Sequence, residues 1–297
     1  MSQLFLDHLS SGKILVSDGA TGTNLQQVGL KSGMSPEVWV MEQPGKILDL
    51  AIAFVRAGSD IILTCTFGGT HLRLKDGDYG DRVGEVNHKA VELARKAAGE
   101  RSGVMVAGSM GPVGGLIKPY GPLTLEEVTS AYTEQAKALT EAGVDLLVIE
   151  TQFSLEEAQA ALAAARLAGD VPVVVSFSYD RGTRTMMGVK SSQVIKTFLP
   201  LGVAAIGANC GTTLENMELI VKEYKELAAN LPIWAKPNAG LPVLSGEGET
   251  VYNITPQEMG DAALRNIGAG ARIVGGCCGS SPEHVAQIVQ SIKGKPA

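Results

Sequence analysis

Ala142-Gly143-Val144-Asp145-Leu146-Leu147-Val148-Ile149-Glu150-Thr151-Gln152-Phe153-Ser154-Leu155-Glu156-Glu157 holds one complete transition of the kind from which the rest of the chain is built. The Ala-Gly pair reads as the end of a helix, because glycine takes the left-handed cap conformation at little steric cost. From Asp145 to Gln152 the apolar run is continuous rather than alternating, which predicts a parallel strand covered on both faces. Ser154 with Glu157 three residues on is the chemistry of a helix start, a hydroxyl to accept an orphan amide and a carboxylate to reach back. Glu150 stands where the strand gives way to the loop.

The same transition recurs along the chain. Strands are predicted over Lys13–Ala20, Asp60–Phe67, Val104–Pro112, Asp145–Gln152, Pro172–Tyr179, Ala204–Cys210, Ile233–Gly240 and Ala271–Gly279, eight in all. Helix starts are expected at Thr124 with Glu127, Ser154 with Glu157 and Thr212 with Glu215, and at Thr255-Pro256 and Ser281-Pro282, where proline occupies the first helical position. Ala57-Gly58, Ala142-Gly143, Ala168-Gly169, Leu201-Gly202 and Ala269-Gly270 are the corresponding ends. Repetition without a linker predicts an α/β fold, a single (β/α)8 TIM barrel over residues 1–297, in preference to an open doubly wound sheet. No Gly-x-Gly-x-x-Gly follows the first strand, which removes the usual dinucleotide reason for the open sheet. In such a barrel the active site is expected at the C-terminal ends of the strands.

Composition narrows the partners. A chain of 297 residues with 45% hydrophobic content can bury a large core. A net charge of −6 without a basic block argues against a nucleic-acid surface, which needs clustered Lys and Arg. The first residues carry no basic segment followed by a long apolar one, and no apolar run is long enough to span a bilayer, so a cytoplasmic protein is expected. Four cysteines, two of them adjacent, form a poor disulfide framework and fit metal binding or catalysis better.

Those two are Cys277 and Cys278, in Gly275-Gly276-Cys277-Cys278-Gly279, and Cys210 in Gly207-Ala208-Asn209-Cys210-Gly211 is the natural third partner. All three fall at the ends of the sixth and eighth predicted strands. Neighbouring strand residues point to opposite sides, so Cys277 and Cys278 share a metal only if the chain turns, which the flanking glycines are expected to permit. Three thiolates suit Zn²⁺ rather than Mg²⁺ or Ca²⁺, and three protein ligands with an exchangeable fourth position is the pattern of a catalytic zinc. The competing readings are a pair of inert or redox thiols and a glycine-built phosphate site. Cys65, between threonines in an apolar strand, reads as a small core residue. His8, His71, His88 and His284 have no ligand-like spacing. Asp18, before Gly19-Ala20, is either a turn-forming carboxylate or a partner for a substrate ammonium. Glu150, with no adjacent basic residue, needs a partner to offset its desolvation, and an amino group would serve.

Asp18-Gly19-Ala20-Thr21-Gly22-Thr23, Gly207-x-Asn209-Cys210-Gly211, Pro237-Asn238-Ala239-Gly240 and Gly275-Gly276-Cys277-Cys278-Gly279 together resemble the homocysteine S-methyltransferase family. Pro237-Asn238-Ala239-Gly240-Leu241-Pro242 is most similar to the homocysteine-binding module of cobalamin-dependent methionine synthases. The resemblance implies a zinc (β/α)8 barrel in which Cys210, Cys277 and Cys278 hold Zn²⁺ and homocysteine takes the open position. It further implies that Asp18, Gly19, Ala20 and Glu150 hold the amino-acid end of homocysteine, and that Asn238 lends an oxygen as fourth ligand when substrate is absent. Cys65 departs from the asparagine common at that position in the family. The expected donor is methylcobalamin carried by a separate corrinoid protein or module, with S-methylmethionine or betaine as the alternatives. A betaine donor calls for aromatic residues around its quaternary ammonium, for which Tyr79, Tyr120 and Phe67 are the candidates in a chain that is 5% aromatic.

Overall fold

The structure, a computed structural model, describes residues 2–244 and 250–294. Eight parallel strands form one sheet: β1 (Leu15–Val16), β2 (Ile61–Leu63), β3 (Met105–Met110), β4 (Leu146–Gln152), β5 (Val173–Phe177), β6 (Ala205–Asn209), β7 (Ile233–Lys236) and, after a two-stranded ribbon of β8 (Val243–Leu244) and β9 (Thr250–Val251), β10 (Ile273–Val274). Their order is β1-β10-β7-β6-β5-β4-β3-β2. A bridge between Ser17 and Ile61 joins the two ends of that order, and the Asp18 N–H donates to the Ile61 carbonyl at 3.0 Å across the same seam. The sheet is thereby a (β/α)8 barrel, as the strand count predicts.

Several strands are shorter than the apolar runs that announce them. The first was expected over Lys13–Ala20 and pairs only over Leu15–Val16; the last was expected over Ala271–Gly279 and pairs over Ile273–Val274. Hydrophobicity marks where the backbone is buried, whereas pairing ends earlier because the residues beyond turn into the mouth and bond to one another. The helix start expected at Thr212 lies one residue later: Thr213 caps the helix Leu214–Leu227, accepting from the Asn216 N–H at 3.2 Å. The reason is the left-handed pair before it, Cys210 at φ 61° and Gly211 at φ 65°. The box expected at Thr124–Glu127 is present, and Thr255, expected to start a helix with Pro256 at its first position, does so and also forms a box with Glu258.

Two apolar layers hold the barrel. Inside it, Leu15, Ile61, Met105, Leu146, Val148, Val174, Trp234 and Ile273 pack together, with Phe5 from the helix Ser2–Ser10 against them. Between strands and helices lies the larger layer, to which Phe54, Tyr132, Phe177, Phe198, Ile220 and Ile288 belong. Gly207 is required by the inner layer: a Cβ there would lie 2.6 Å from the Trp234 Cβ, so any side chain would force out the largest residue of the barrel interior. No helix among the described residues is long and apolar enough to cross a membrane.

Candidate metal and substrate site

At the C-terminal end of the strands a cavity of about 800 Å³ opens, lined by Gly19, Ala20, Glu150, Lys236 and the three cysteines Cys210, Cys277 and Cys278, among others. The local backbone builds it from unusual conformations. The ladder between β4 and β5 slips between Ile149 and Gln152, and Thr151 there has φ 60°. A bulge of this kind re-aims a side chain, here placing Glu150 in the mouth. Cys210, the residue after β6, is likewise left-handed, and non-glycine residues persist in that region only where their surroundings over-determine them.

The vicinal pair is presented differently from the sequence expectation. Of the three glycines, only Gly279 has a positive φ, at 79°. Gly275 is needed for close approach instead, since a Cβ there would lie 2.9 Å from the Ser17 carbonyl oxygen. The turn is stitched to the end of β1: the Gly276 N–H donates to the Asp18 carbonyl at 3.1 Å and the Ala20 N–H to the Ser280 carbonyl at 3.1 Å. Asn24, which the sequence reading passed over, donates to both the Ala20 and Ser280 carbonyls, at 2.6 and 2.9 Å. Gly19 leaves room for Phe54, whose ring would be 2.7 Å from an added Cβ.

The sulfur atoms of Cys210, Cys277 and Cys278 all lie within 4.8 Å of one another, and the first and third are 3.5 Å apart. Thiolates at about 2.3 Å from a tetrahedral zinc are about 3.8 Å apart, so this spacing fits such an ion. The thiols also bond one another. For Cys210 the bond from Cys277 favours the thiolate, but the bond to Cys278 and burial outweigh it and push the thiol up to about 12. Cys278 follows the same pattern, favoured by Cys210 but carried to about 12 by Cys277 and burial. At Cys277 the bond to Cys210 and burial both act upwards. A cluster so reluctant to ionise alone is one that a dication stabilises. The Asn238 side-chain oxygen, named as a fourth ligand, is buried without a hydrogen-bond partner, an orphan that a metal would satisfy.

Beside the thiols lies a buried charge cluster. Glu150 has a basic neighbour after all: Lys236, at the end of β7 and 2% exposed, carries an ammonium that pairs with Asp18 at 2.8 Å and also faces Glu150. Burial opposes the charge on Lys236, yet Asp18 and Glu150 outweigh it and raise its pKa. Burial raises Glu150 above the usual carboxyl value of 4.5, against the opposing pull of Lys236 and of Ser109, whose hydroxyl donates at 2.5 Å. Asp18 sits behind the cavity wall, its second oxygen accepting the Leu63 N–H at 2.7 Å. Sequence reasoning missed Lys236, although a lysine closing a wholly apolar strand is a signal, since buried lysines are rare unless paired.

Elsewhere along the cavity, Glu37 is buried at 2% exposure and accepts from the Gly68 N–H at 2.6 Å and from the Ser35 hydroxyl. Cys65 lines the wall as a buried thiol apart from the cluster, its pKa raised by burial and then by Glu37. Phe67 lines the cavity, whereas Tyr79 and Tyr120 do not, so among the described residues the three aromatic candidates do not converge on one point. The histidines serve locally, His284 in the cap at Ser281 and His71 against Glu134.

Residues 15–292 match the family model described as homocysteine S-methyltransferase. The chain belongs to the homocysteine S-methyltransferase family. It is 31% identical to the methionine synthase of Mycobacterium tuberculosis, over 97% of this chain and 25% of that protein, and 30% identical to that of Mycobacterium leprae, over 94% and 24%. The chain thus spans about a quarter of the length of these curated relatives. Among solved structures it is similar to the homocysteine methyltransferase MmuM of Escherichia coli in its metallated form, with 25% identity, a TM-score of 0.81, and 96% and 98% of the two chains covered. A methyltransferase from Methanosarcina mazei, at 15% identity and a TM-score of 0.62, shares the fold. Membership of the homocysteine S-methyltransferase family agrees with the resemblance read from the glycine-cysteine motifs.

Proposed function

We propose that the protein is a zinc-dependent homocysteine S-methyltransferase that forms methionine, with methylcobalamin on a separate corrinoid protein or module as its donor. The observation that carries this reading is the convergence of Cys210, Cys277 and Cys278, with sulfur atoms within 4.8 Å, in a chain of this family. Cys210, Cys277 and Cys278 would hold Zn²⁺, with Asn238 as a further ligand in the absence of substrate. When bound, the ion lowers the pKa of a coordinated thiol and supplies a thiolate at neutral pH.

The chain's own residues do the rest. Glu150, Gly19 and Ala20 line the cavity that the thiols line, and they hold the amino-acid end of homocysteine. Two carboxyl groups, Asp18 and Glu150, share one ammonium, Lys236, which leaves the cluster short of a cation and suited to the substrate's α-ammonium. Asp18 acts here from behind, by fixing Lys236 and the end of β2. The similarity to methionine synthases supports the corrinoid donor. A second reading, a small donor such as S-methylmethionine or betaine, is favoured by the cavity: at about 800 Å³ it belongs to the size class that encloses a drug-sized ligand, more than homocysteine alone fills.

Zinc-loaded protein should release about one proton per homocysteine bound, and a screen of methylcobalamin, S-methylmethionine and betaine with homocysteine should yield methionine from one of them. Zinc that never meets the added thiol, or no methionine from any donor, would sink the proposal.

A further inference from the structure

Homocysteine carries two charges at the end opposite its thiol, an α-ammonium and an α-carboxylate. Glu150 suits the first, and the second needs a donor in the same cavity. The wall of Gly19 and Ala20 supplies little, because the Ala20 N–H already donates to the Ser280 carbonyl at 3.1 Å. Among the described residues that line the cavity, only Arg73 and Lys236 are basic. Arg73 lies in the helix His71–Leu74 after β2, packed where a Cβ on Gly114 would meet its Cδ at 2.7 Å. Lys236 is the cation beside the thiols: β7, which it ends, pairs with β6 and β10, the strands that lead to the three cysteines. The Cys210 N–H donates to the Lys236 carbonyl at 3.1 Å and the Cys277 N–H to the Pro237 carbonyl at 2.8 Å.

Strand alternation places the side chain. Trp234 packs inside the barrel, so Lys236, two residues on, points to the same interior, with its Nζ over the Trp234 ring at 5.7 Å from the centroid. An ammonium has three N–H donors, and among the described residues one of them has an acceptor, Asp18 Oδ1 at 2.8 Å. Two are left for a ligand in the cavity that Lys236 lines. Glu150, three strands away in the sheet order, is held by the Ser109 hydroxyl on one oxygen and by Asn209 Nδ2 at 3.5 Å from the other. A zwitterion laid between Lys236 and Glu150 makes the charges alternate from Asp18 to Glu150, whereas a thiol carrying only an ammonium leaves Lys236 unmatched in a buried position, which is costly.

We propose that Lys236 is a substrate-binding residue whose ammonium receives the α-carboxylate of homocysteine, so that the site selects a thiol that is also an α-amino acid over a simple aminothiol. Asp18 then orients the lysine. The inference rests on the reading of the cavity as a homocysteine site.

The test measures by calorimetry the binding of homocysteine and of 3-aminopropane-1-thiol, which is homocysteine without its carboxylate, to zinc-loaded wild type, Lys236→Met and the double variant Lys236→Met/Asp18→Asn. The double variant removes the carboxylate that the single one orphans, and it carries the test if the single variant does not fold. Wild type should bind homocysteine at least roughly tenfold more tightly than the aminothiol, the factor associated with one hydrogen bond to a charged group, and in the variants the two affinities should agree within about twofold. A lysine that served only to hold Asp18 would weaken both ligands alike and leave their ratio intact, and a ratio that persists in the variants overturns the proposal. Equal affinities in wild type also overturn it, while leaving the methyltransferase reading in place. If wild type binds neither thiol, that reading fails and takes this inference with it.

Discussion

The ammonium of Lys236 lies 2.8 Å from Asp18 Oδ1, joining the end of β7 to the end of β1 across the barrel mouth, with both side chains buried. Breaking a buried pair by removing one partner costs more than the pair itself contributes, because the survivor stays uncompensated. Lys236→Met should therefore destabilise the barrel by roughly 3–5 kcal/mol in urea unfolding. Adding Asp18→Asn to it should restore part of that loss, and strictly additive losses would show that the two do not act as a pair.

Cys210→Ala and Cys278→Ala should each abolish stoichiometric zinc binding, measured by metal analysis of purified protein, while the circular dichroism of a folded barrel is retained. The three cysteines of the cluster are only partly buried and stand outside the apolar layers, so their loss leaves those layers intact. Full zinc content in either variant would refute the ligand assignment.

Glu150→Gln keeps the shape of the residue and an oxygen for the Ser109 hydroxyl but removes the charge offered to an ammonium. Homocysteine should bind at least tenfold more weakly by calorimetry, in line with the worth of one hydrogen bond to a charged group, with zinc content unchanged. Loss of zinc instead would mean that Glu150 belongs to the metal.

Glu157 supplies a test of pH dependence away from the thiols. Its buried carboxyl accepts from the Val113 N–H at 2.8 Å and from the Tyr132 hydroxyl at 2.9 Å, and burial, the largest influence, raises its pKa above 4.5 despite both bonds. A carboxyl whose folded pKa lies above its unfolded value contributes stability fully present below the unfolded pKa and lost as pH rises through the folded one. Wild type should accordingly lose stability relative to Glu157→Gln as pH rises from about 4.5, with a slope approaching about 1.4 kcal/mol per pH unit, and the difference should level off above the folded pKa. A difference in unfolding midpoints that does not vary with pH would refute this.

The barrel was legible because parallel strands covered on both faces announce themselves as unbroken apolar runs, and the caps between them are chemically explicit. The extents of β1 and β10 were not, since Gly19, Gly275 and Gly276 read alike whether the backbone stays in the ladder or leaves it. The thiol cluster was legible from residue types alone. Its surroundings were not: Lys236 meets Asp18 from 218 residues away, a pairing set by barrel closure rather than by local pattern. Asn209 stood inside a recognised motif, yet its bonds to Ser176, Thr151 and Cys277 follow from strand register and from the bulge in β4.

Cys210 and Cys278 are separated by 68 residues. At roughly 5–20 residues per second of synthesis, the first thiol leaves the ribosome on the order of 3–14 seconds before its last partner. During that interval it is a solitary cysteine, unable to assemble a metal site and open to oxidants or to stray metals, so the translation of this stretch is a period of chemical vulnerability that ends only when the final strand docks.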